Sequence, residues 1–517
     1  MKRKVGRDQD WLIWAVLLPA LVAGTLVWMS TPAGVGVSDD SVVYLGQARN
    51  LLAGNGLSRL TGDGSPVPIT HFPPLYPLML AAAAGLGLGV EAAARVLAAT
   101  SAGAAVLATG LLTERLSRSR PAAGLAAWLL ATSPVALEVH TWAMTESLFV
   151  ALSVLALYFL ATYLDSDERA WLLAAAVATS TALLTRYAGY ALVVASLGAL
   201  LLSSKRWRDR LGDSAQYLLL AGLPLSFWLM RNLRLTGRAT NRQWSWHPVG
   251  LNKLVSGGRA VAEWIYGGQP TSLWLALPAI LAVVTVALAF WFWGRSQGWV
   301  HSQKTGRQTG WVLPLVYPIL YGLFLLVSIS FFDRSTPLDR RLLFAVYPLI
   351  LVMGAIVVSH WWGLTRLNRL RGLLLAGLVI GAGRYTLESV ETLMLLRDDA
   401  RGFAAAAWQR GEAIEYMRRI PASTLIYTNE PEAIYYLLGR GAYIVPIQRD
   451  GVTAQDRADY PQQLASYRAD LLSGRAVLAL YASISFQSDF APEEGLVQGL
   501  QLIAADERLR IYAVVAG

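Results

Sequence analysis

The sequence predicts a polytopic α-helical membrane protein with about eleven transmembrane helices and a small extracytoplasmic α/β domain at its C-terminal end. Three observations carry this. Of the 517 residues 55% are hydrophobic and only 15% charged, with a mean hydropathy of +0.43, a balance that soluble globular domains rarely have. Apolar runs long enough to cross roughly 30 Å of hydrocarbon recur from the first residues to about residue 391. Beyond about residue 392 the pattern changes to short amphipathic stretches alternating with β-rich runs.

The first run, Trp11–Met29, follows "MKRKVGR" and is bracketed by Trp11, Trp14 and Trp28 at headgroup level. It is longer than the apolar core of a secretory signal and no small-residue cleavage site follows, so it reads as a retained anchor. Further runs fall near 93–113, 121–139, 146–164, 170–185, 187–203, 214–231, 272–293, 311–331, 341–360 and 372–391. The segment 73–89 is also apolar, but it is short, begins with two prolines and is rich in glycine. Basic residues near span ends stay on the cytoplasmic side. Only if 73–89 does not cross do "MKRKVGR", "ERLSRSR", "KRWRDR", "GRSQGWVHSQKTGR" and "TRLNRLR" all fall inside. It is therefore expected to be an interfacial or re-entrant helix within an outer loop at 31–92. Residues 1–392 then form the membrane domain. The N-terminus is cytoplasmic and the α/β domain, 393–517, lies outside.

The chain has no cysteine, which excludes disulfides and thiolate metal sites. Its formal charge of +10 would suit a nucleic-acid partner in a soluble protein, but here the basic residues sort into cytoplasmic loops, and no nucleic acid is expected. No P-loop, GxGxxG or GxSxG motif sits in a suitable context, which speaks against nucleotide-driven chemistry and serine hydrolysis.

With this orientation the residues able to do chemistry all reach the outer face. Asp39 and Asp40 open an amphipathic segment, "SDDSVVYLGQARNLLAGNG", that ends in glycine and carries Tyr44. An acid there can cap the helix or mark the water boundary, and one of the pair is expected to do so. The other would stand rigidly at the mouth of a cavity. Glu146, in "AMTESLF", begins a span, where an ionisable group is costly; it is either functional or a dipole-favoured first-turn acid behind a capping Thr145. Arg186, in "TRYAGY", sits at a reversal with almost no loop, suited to gripping a phosphate or to snorkelling toward headgroups. Arg231, Arg234, Arg238, Arg340 and Arg341 also lie at outer span ends, against the usual bias. An anionic ligand on that face is the economical reason. His71 before "FPPLYP" and His247 in "WSWHPVG" have no metal-ligand spacing, so no metal site is assigned.

These stretches, in order "SDDSVVYLGQARNLLAGNG", "HFPPLYPLMLA", "AMTESLF", "TRYAGY", "WLMRNLRLTG" and "DRRLLFAVYP", resemble the polytopic glycosyltransferases of the GT-C superfamily. The likeness is to the branch of protein O-mannosyltransferases and the lipid A aminoarabinose transferase, over roughly residues 10–360. It implies a polyprenyl-phosphate sugar as donor and a hydroxyl acceptor on a protein, lipid or glycan. The acid/base group of the first outer loop matches Asp40, with Asp39 beside it, and Glu146 matches a second acidic position. Arg186, Arg340, Arg341 and Arg231 match positions facing the lipid phosphate. Tyr44, His71, Tyr76, Tyr187 and His247 would line the substrate cavity. The implied reaction inverts the anomeric centre at the outer face of a membrane, expected to be a prokaryotic plasma membrane. No cofactor is assigned, with a divalent ion left open. The alternatives from other classes are a secondary transporter of an anionic substrate and a nonenzymatic envelope assembly protein.

Overall fold

The computed structural model describes residues 3–240, 242, 244–268, 273–305, 310–364, 368–450, 455–482 and 493–514. All eleven apolar runs fall on helices. Six described helices are long and apolar enough to cross a membrane: Val90–Ser117, Thr145–Ser166, Ala276–Ser296, Gly310–Phe331, Tyr347–Leu364 and Arg371–Asp398. The run 121–139, expected as one span, is a pair of helices, Arg120–Ala131 and Pro134–His140, bent by 58°. Its cause is local. Ser133 caps the second helix, its Oγ accepting from Ala136 N at 3.3 Å, and Pro134 follows at a position where its ring prevents the first helix from continuing. Trp14–Met29, Arg169–Thr185 and Gly189–Leu201 are shorter apolar helices. So is Leu75–Gly85, within the expected interfacial segment; its 11 residues span about 16 Å, half of what a crossing needs. The protein is an integral membrane protein.

Helices in lipid gain little from burying more apolar surface, so they associate where small residues let backbones approach. The first helix and Val90–Ser117 do this: a Cβ on Gly24 would stand 3.0 Å from Ala99 O, and one on Gly103 3.0 Å from Ala20 O. Buried Ala20, Ala23, Ala98 and Ala102 complete the seam. Thr145–Ser166 is central, packed against Val90–Ser117 on one side and Arg169–Thr185 on the other. Ala276–Ser296 and Arg371–Asp398 leave most of their apolar surface outward, as lipid-facing helices do.

At one end of this bundle lie the helix Asp39–Leu52, the hairpin of β1 (Ser58–Leu60) and β2 (Pro66–Pro68), the loop helix Leu251–Tyr266 and the C-terminal domain. That domain is built on a five-stranded sheet of β3 (Leu425–Thr428), β4 (Tyr443–Ile444), β5 (Ala476–Tyr481), β6 (Gln501–Ala505) and β7 (Leu509–Ala513) in the order β4-β3-β5-β7-β6. β3 pairs in parallel with β4 and β5; the β5–β7 and β7–β6 pairs are antiparallel. Every residue of β5 is buried, the reason "AVLALY" reads as a continuous apolar run.

The domain is stitched to the rim by backbone. Val37 N donates to Arg401 O at 3.0 Å and Phe403 N to Val37 O at 2.8 Å, while Gly36 N donates to Thr141 O at 2.8 Å and Ala143 N to Gly36 O at 2.9 Å. Residues 36–37 are thus held from both sides immediately before the two aspartates. Gly402 sits at φ +61°, and a Cβ there would fall 2.0 Å from Val37 O. Gly402→Ala is therefore expected to destabilise the docked domain by about 1–3 kcal/mol, seen as faster limited proteolysis after residue 398 with the membrane domain intact.

Candidate active site

The two aspartates do not cap their helix. Ser38 does, in extended conformation with its Oγ accepting from Ser41 N, which frees both carboxylates in the dipole-favoured first turn. Asp40 turns toward Arg341, its Oδ2 3.3 Å from Nη1. Arg341 reaches on to Glu146, Nε to Oε1 at 3.4 Å. Arg186 lies on the other side of that same oxygen, at 2.7 Å. Residues separated by up to 301 positions therefore form one chain of alternating charge, Asp40–Arg341–Glu146–Arg186.

Local structure explains each member. Glu146 lies in the first turn of Thr145–Ser166, only 3% exposed, where the helix N-terminus favours an anion. Met144, not Thr145, is the cap residue. The Thr145 hydroxyl instead accepts from Arg186 Nη1 at 2.8 Å. Arg186 ends the preceding helix in extended conformation, with Tyr187–Ala188 making the reversal. Asp339 caps a single helical turn, Arg340–Leu343, its Oδ1 accepting from Leu342 N at 3.0 Å. That turn sends the adjacent arginines apart. Arg340 pairs with Glu138 at 2.5 Å and with Glu263 at 3.5 Å.

A cavity of about 770 Å³ opens over these groups, lined among others by Asp39, Asp40, Glu138, Glu263, Arg259, Arg340 and Arg341. Asp39 borders it with no ion pair among the described residues, its carboxyl pushed up to about 6 by burial and then by the nearby Glu432 and Asp40. Burial likewise raises Glu263. Glu138, at the bent helix pair, holds Arg340 from the membrane domain and Arg401 from the segment entering the C-terminal domain. Arg259, on the loop helix, is exposed to the cavity and has no acidic partner among the described residues. Among those residues no group of three or more His, Cys, Asp or Glu could hold a metal ion.

Of the sequence-predicted residues, Asp39, Asp40, Glu146, Arg186, Arg340 and Arg341 come together here. Tyr44 and Tyr76 are buried behind the cluster, their rings 5.4 Å apart. The other four belong neither to this ion-pair chain nor to the cavity lining. His71 approaches Arg242, Nε2 to Nη2 at 3.2 Å, and Arg242 is ion-paired with Asp333. This cluster ties three loops together; burial and then Arg242 push His71 down to about 4, and Arg242 holds Asp333 near 2 despite its burial. Arg231 donates to Ile69 O at 3.2 Å and to the Asn232 side chain, and lies over the Trp228 ring. Tyr187 packs with Leu183, Val193 and Trp228. His247 is bound to Ser330 O through its backbone N and its Nδ1. Glu263, Arg259 and Arg401 were missed, since each resembles an ordinary solvated charge in its own stretch, and Glu138 because it sits inside an apolar run. The signal that was present is Pro134, whose bend carries Glu138 to the rim.

A family profile described as dolichyl-phosphate-mannose-protein mannosyltransferase matches residues 71–230. Among solved structures, the chain is similar to ArnT from Cupriavidus metallidurans bound to undecaprenyl phosphate, at 14% identity over 98% of each chain with a TM-score of 0.62. It is also similar to the oligosaccharyltransferase AglB from Archaeoglobus fulgidus in complex with an inhibitory peptide and a dolichol-phosphate, at 13% identity over 92% of this chain and 70% of that one, TM-score 0.53. A third is the arabinofuranosyltransferase AftD from Mycobacteria, at 15% identity over 98% of this chain and 42% of that one, TM-score 0.52. No curated protein matches by sequence. The fold is that of the GT-C glycosyltransferases, and the resemblance drawn from the motifs holds.

Proposed function

We propose that the chain is an inverting glycosyltransferase that moves a sugar from a polyprenyl-phosphate donor to an acceptor hydroxyl on the extracytoplasmic face of a membrane. The observation that carries this reading is the Asp40–Arg341 contact of 3.3 Å at a cavity of about 770 Å³, at one end of a bundle with the GT-C fold. The lipid-bound forms of ArnT and AglB support a polyprenyl-phosphate as the anionic partner.

In this reading Asp40 accepts the proton of the acceptor hydroxyl as its oxygen attacks the anomeric carbon. The bond from that carbon to the phosphate oxygen breaks on the opposite face, and polyprenyl phosphate leaves with the electron pair. The proton on Asp40 then passes to water. Negative charge grows on the departing phosphate, and guanidinium groups already in place stabilise it. Distances divide the arginines. Arg186 is held at 2.7 Å by a buried carboxylate, the length of a full charge-assisted bond, which makes it a support. Arg341, at 3.3 and 3.4 Å from its partners, is loosely held and can turn to a phosphate. Arg259 needs to break no ion pair to do so. Arg259→Ala is accordingly expected to weaken binding of undecaprenyl phosphate roughly tenfold to a hundredfold in native mass spectrometry, without changing thermal stability.

The reading is tested with purified protein in vesicles given a panel of polyprenyl-phosphate sugars and hydroxyl acceptors. Sugar transfer with release of lipid phosphate supports it. Anion uptake without bond cleavage would replace it with the transporter alternative.

A further inference from the structure

A single turn of helix carries Arg341, and that turn does not hold its own shape. Its four residues, Arg340–Leu343, are far fewer than a helix needs to form by itself. Three contacts fix it. Asp339 Oδ1 accepts from Leu342 N at 3.0 Å, the buried Tyr321 hydroxyl donates to Leu342 O at 2.9 Å, and Arg340 Nη1 lies 2.5 Å from Glu138 Oε2.

Glu138 has a second oxygen, and Arg401 occupies it: Nη1 of that arginine is paired with Oε1. Arg401 is also held through its backbone, Val37 N donating to Arg401 O at 3.0 Å. Its stem lies so close to Gly36 that a Cβ on the glycine would stand 3.2 Å from Arg401 Cβ. Val37 leads in three residues to Asp40, and Asp40 returns to Arg341 at 3.3 Å. The contacts therefore close on themselves, running Val37, Asp40, Arg341, Arg340, Glu138, Arg401 and back to Val37. One member, Arg401, comes from the segment entering the C-terminal domain.

We propose that Arg401 and Glu138 are positioning residues for the Asp40–Arg341 pair: through this circuit they set the separation of the reacting acid from the guanidinium that meets the lipid phosphate. The Arg341 side chain is loosely held, at 3.3 and 3.4 Å from its partners, so its reach is decided by where its backbone stands. A displacement of about 1 Å at a reacting group can cost roughly 10²-fold in rate. The C-terminal domain does not depend on Arg401 alone to stay docked. The helix Pro431–Leu438 packs along Asp39–Leu52, Tyr435 crosses Gly46 so closely that a Cβ on the glycine would stand 2.8 Å from its ring, and Gly62 of the β1–β2 hairpin lies against the Tyr443 ring. Arg401 can be changed while these contacts hold the domain in place.

The inference rests on the transferase reading only in what Asp40 and Arg341 do, and its first test needs no substrate. Amide hydrogen exchange of the full chain in detergent follows Leu342, Leu343 and Phe344, whose N–H groups close the turn on Asp339 and Arg340. Arg401→Gln should speed their exchange roughly tenfold, as losing one hydrogen bond to a charged group does, with the amides of β5 unchanged. Arg401→Lys keeps a cation for the single contact and should recover most of the protection. Glu138→Gln decides the matter if Arg401→Gln does not fold, and should loosen the turn and the Val37 and Phe403 amides together. A folded Arg401→Gln protein with the turn as protected as in the wild type, a lysine variant no better than the glutamine one, or a Glu138→Gln protein loosened on one side only overturns the proposal. In native mass spectrometry, Arg401→Gln should also weaken undecaprenyl phosphate binding roughly tenfold in the wild type but by less than about twofold in an Arg341→Ala background; equal losses in both overturn it too. A wild type that binds no lipid phosphate counts against the transferase reading and leaves the exchange measurement to decide the inference.

Discussion

Replacing Asp40 by asparagine is expected to lower turnover by roughly 10²–10⁴, the usual contribution of a general base. Binding of undecaprenyl phosphate should change little. The amide keeps the size and most of the polarity of the side chain but cannot take a proton from a hydroxyl. Arg341 loses one of two loose carboxylate contacts, 3.3 Å to Asp40, and keeps that to Glu146 at 3.4 Å, so the guanidinium stays near the phosphate position. The measurement is kcat for sugar transfer alongside lipid-phosphate affinity. A proportional loss of both would mean that Asp40 binds rather than reacts.

Glu146→Gln should act on stability first. Glu146 is 3% exposed and answers two guanidinium groups, Arg186 at 2.7 Å and Arg341 at 3.4 Å. Removing its charge strands Arg186 among buried helices. Breaking a buried pair by removing one partner costs about 3–5 kcal/mol, because the remaining charge keeps its desolvation penalty without its attraction. Thermal unfolding in detergent should therefore fall markedly for Glu146→Gln. The double variant Glu146→Gln, Arg186→Met should regain much of the loss, since it removes the stranded charge. A single variant as stable as the wild type would mean that the pair is not buried as described.

How much of this could be read from residues alone follows from what each residue must pay to be where it is. Asp40, Glu146, Arg186 and Arg341 were legible because an ionisable side chain at the end of an apolar run is costly and needs a reason. Which partner each would choose was not legible: Arg186 suggested a phosphate grip, but its nearest anion is Glu146. Arg231 and His247 looked like their neighbours in sequence and differ only in side-chain direction, toward backbone carbonyls of Ile69 and Ser330. Glu138 was hidden in a run taken as one span, although Ser133–Pro134 announces the break. Arg259 lies in "LNKLVSGGRAVAEWIY", where one arginine on an amphipathic helix reads as a solvated face. The docking of the C-terminal domain was beyond reach, because nothing in "TNEPEAIYY" says that it folds back onto the helix of Asp39. The strands of that domain, by contrast, were visible as β-rich runs, and they join in one sheet.

Phosphorus NMR on the full chain incubated with a polyprenyl-phosphate sugar tests the central claim most directly, because donor and spent lipid differ as phosphodiester and phosphomonoester. For at least one sugar in the panel, the wild type should convert the diester signal to monoester as the sugar appears on an acceptor or in water with its anomeric configuration inverted. Asp40→Asn should bind the same donor and leave the diester standing. A diester that persists with the wild type for every sugar tried, or equal conversion by Asp40→Asn, would contradict the account.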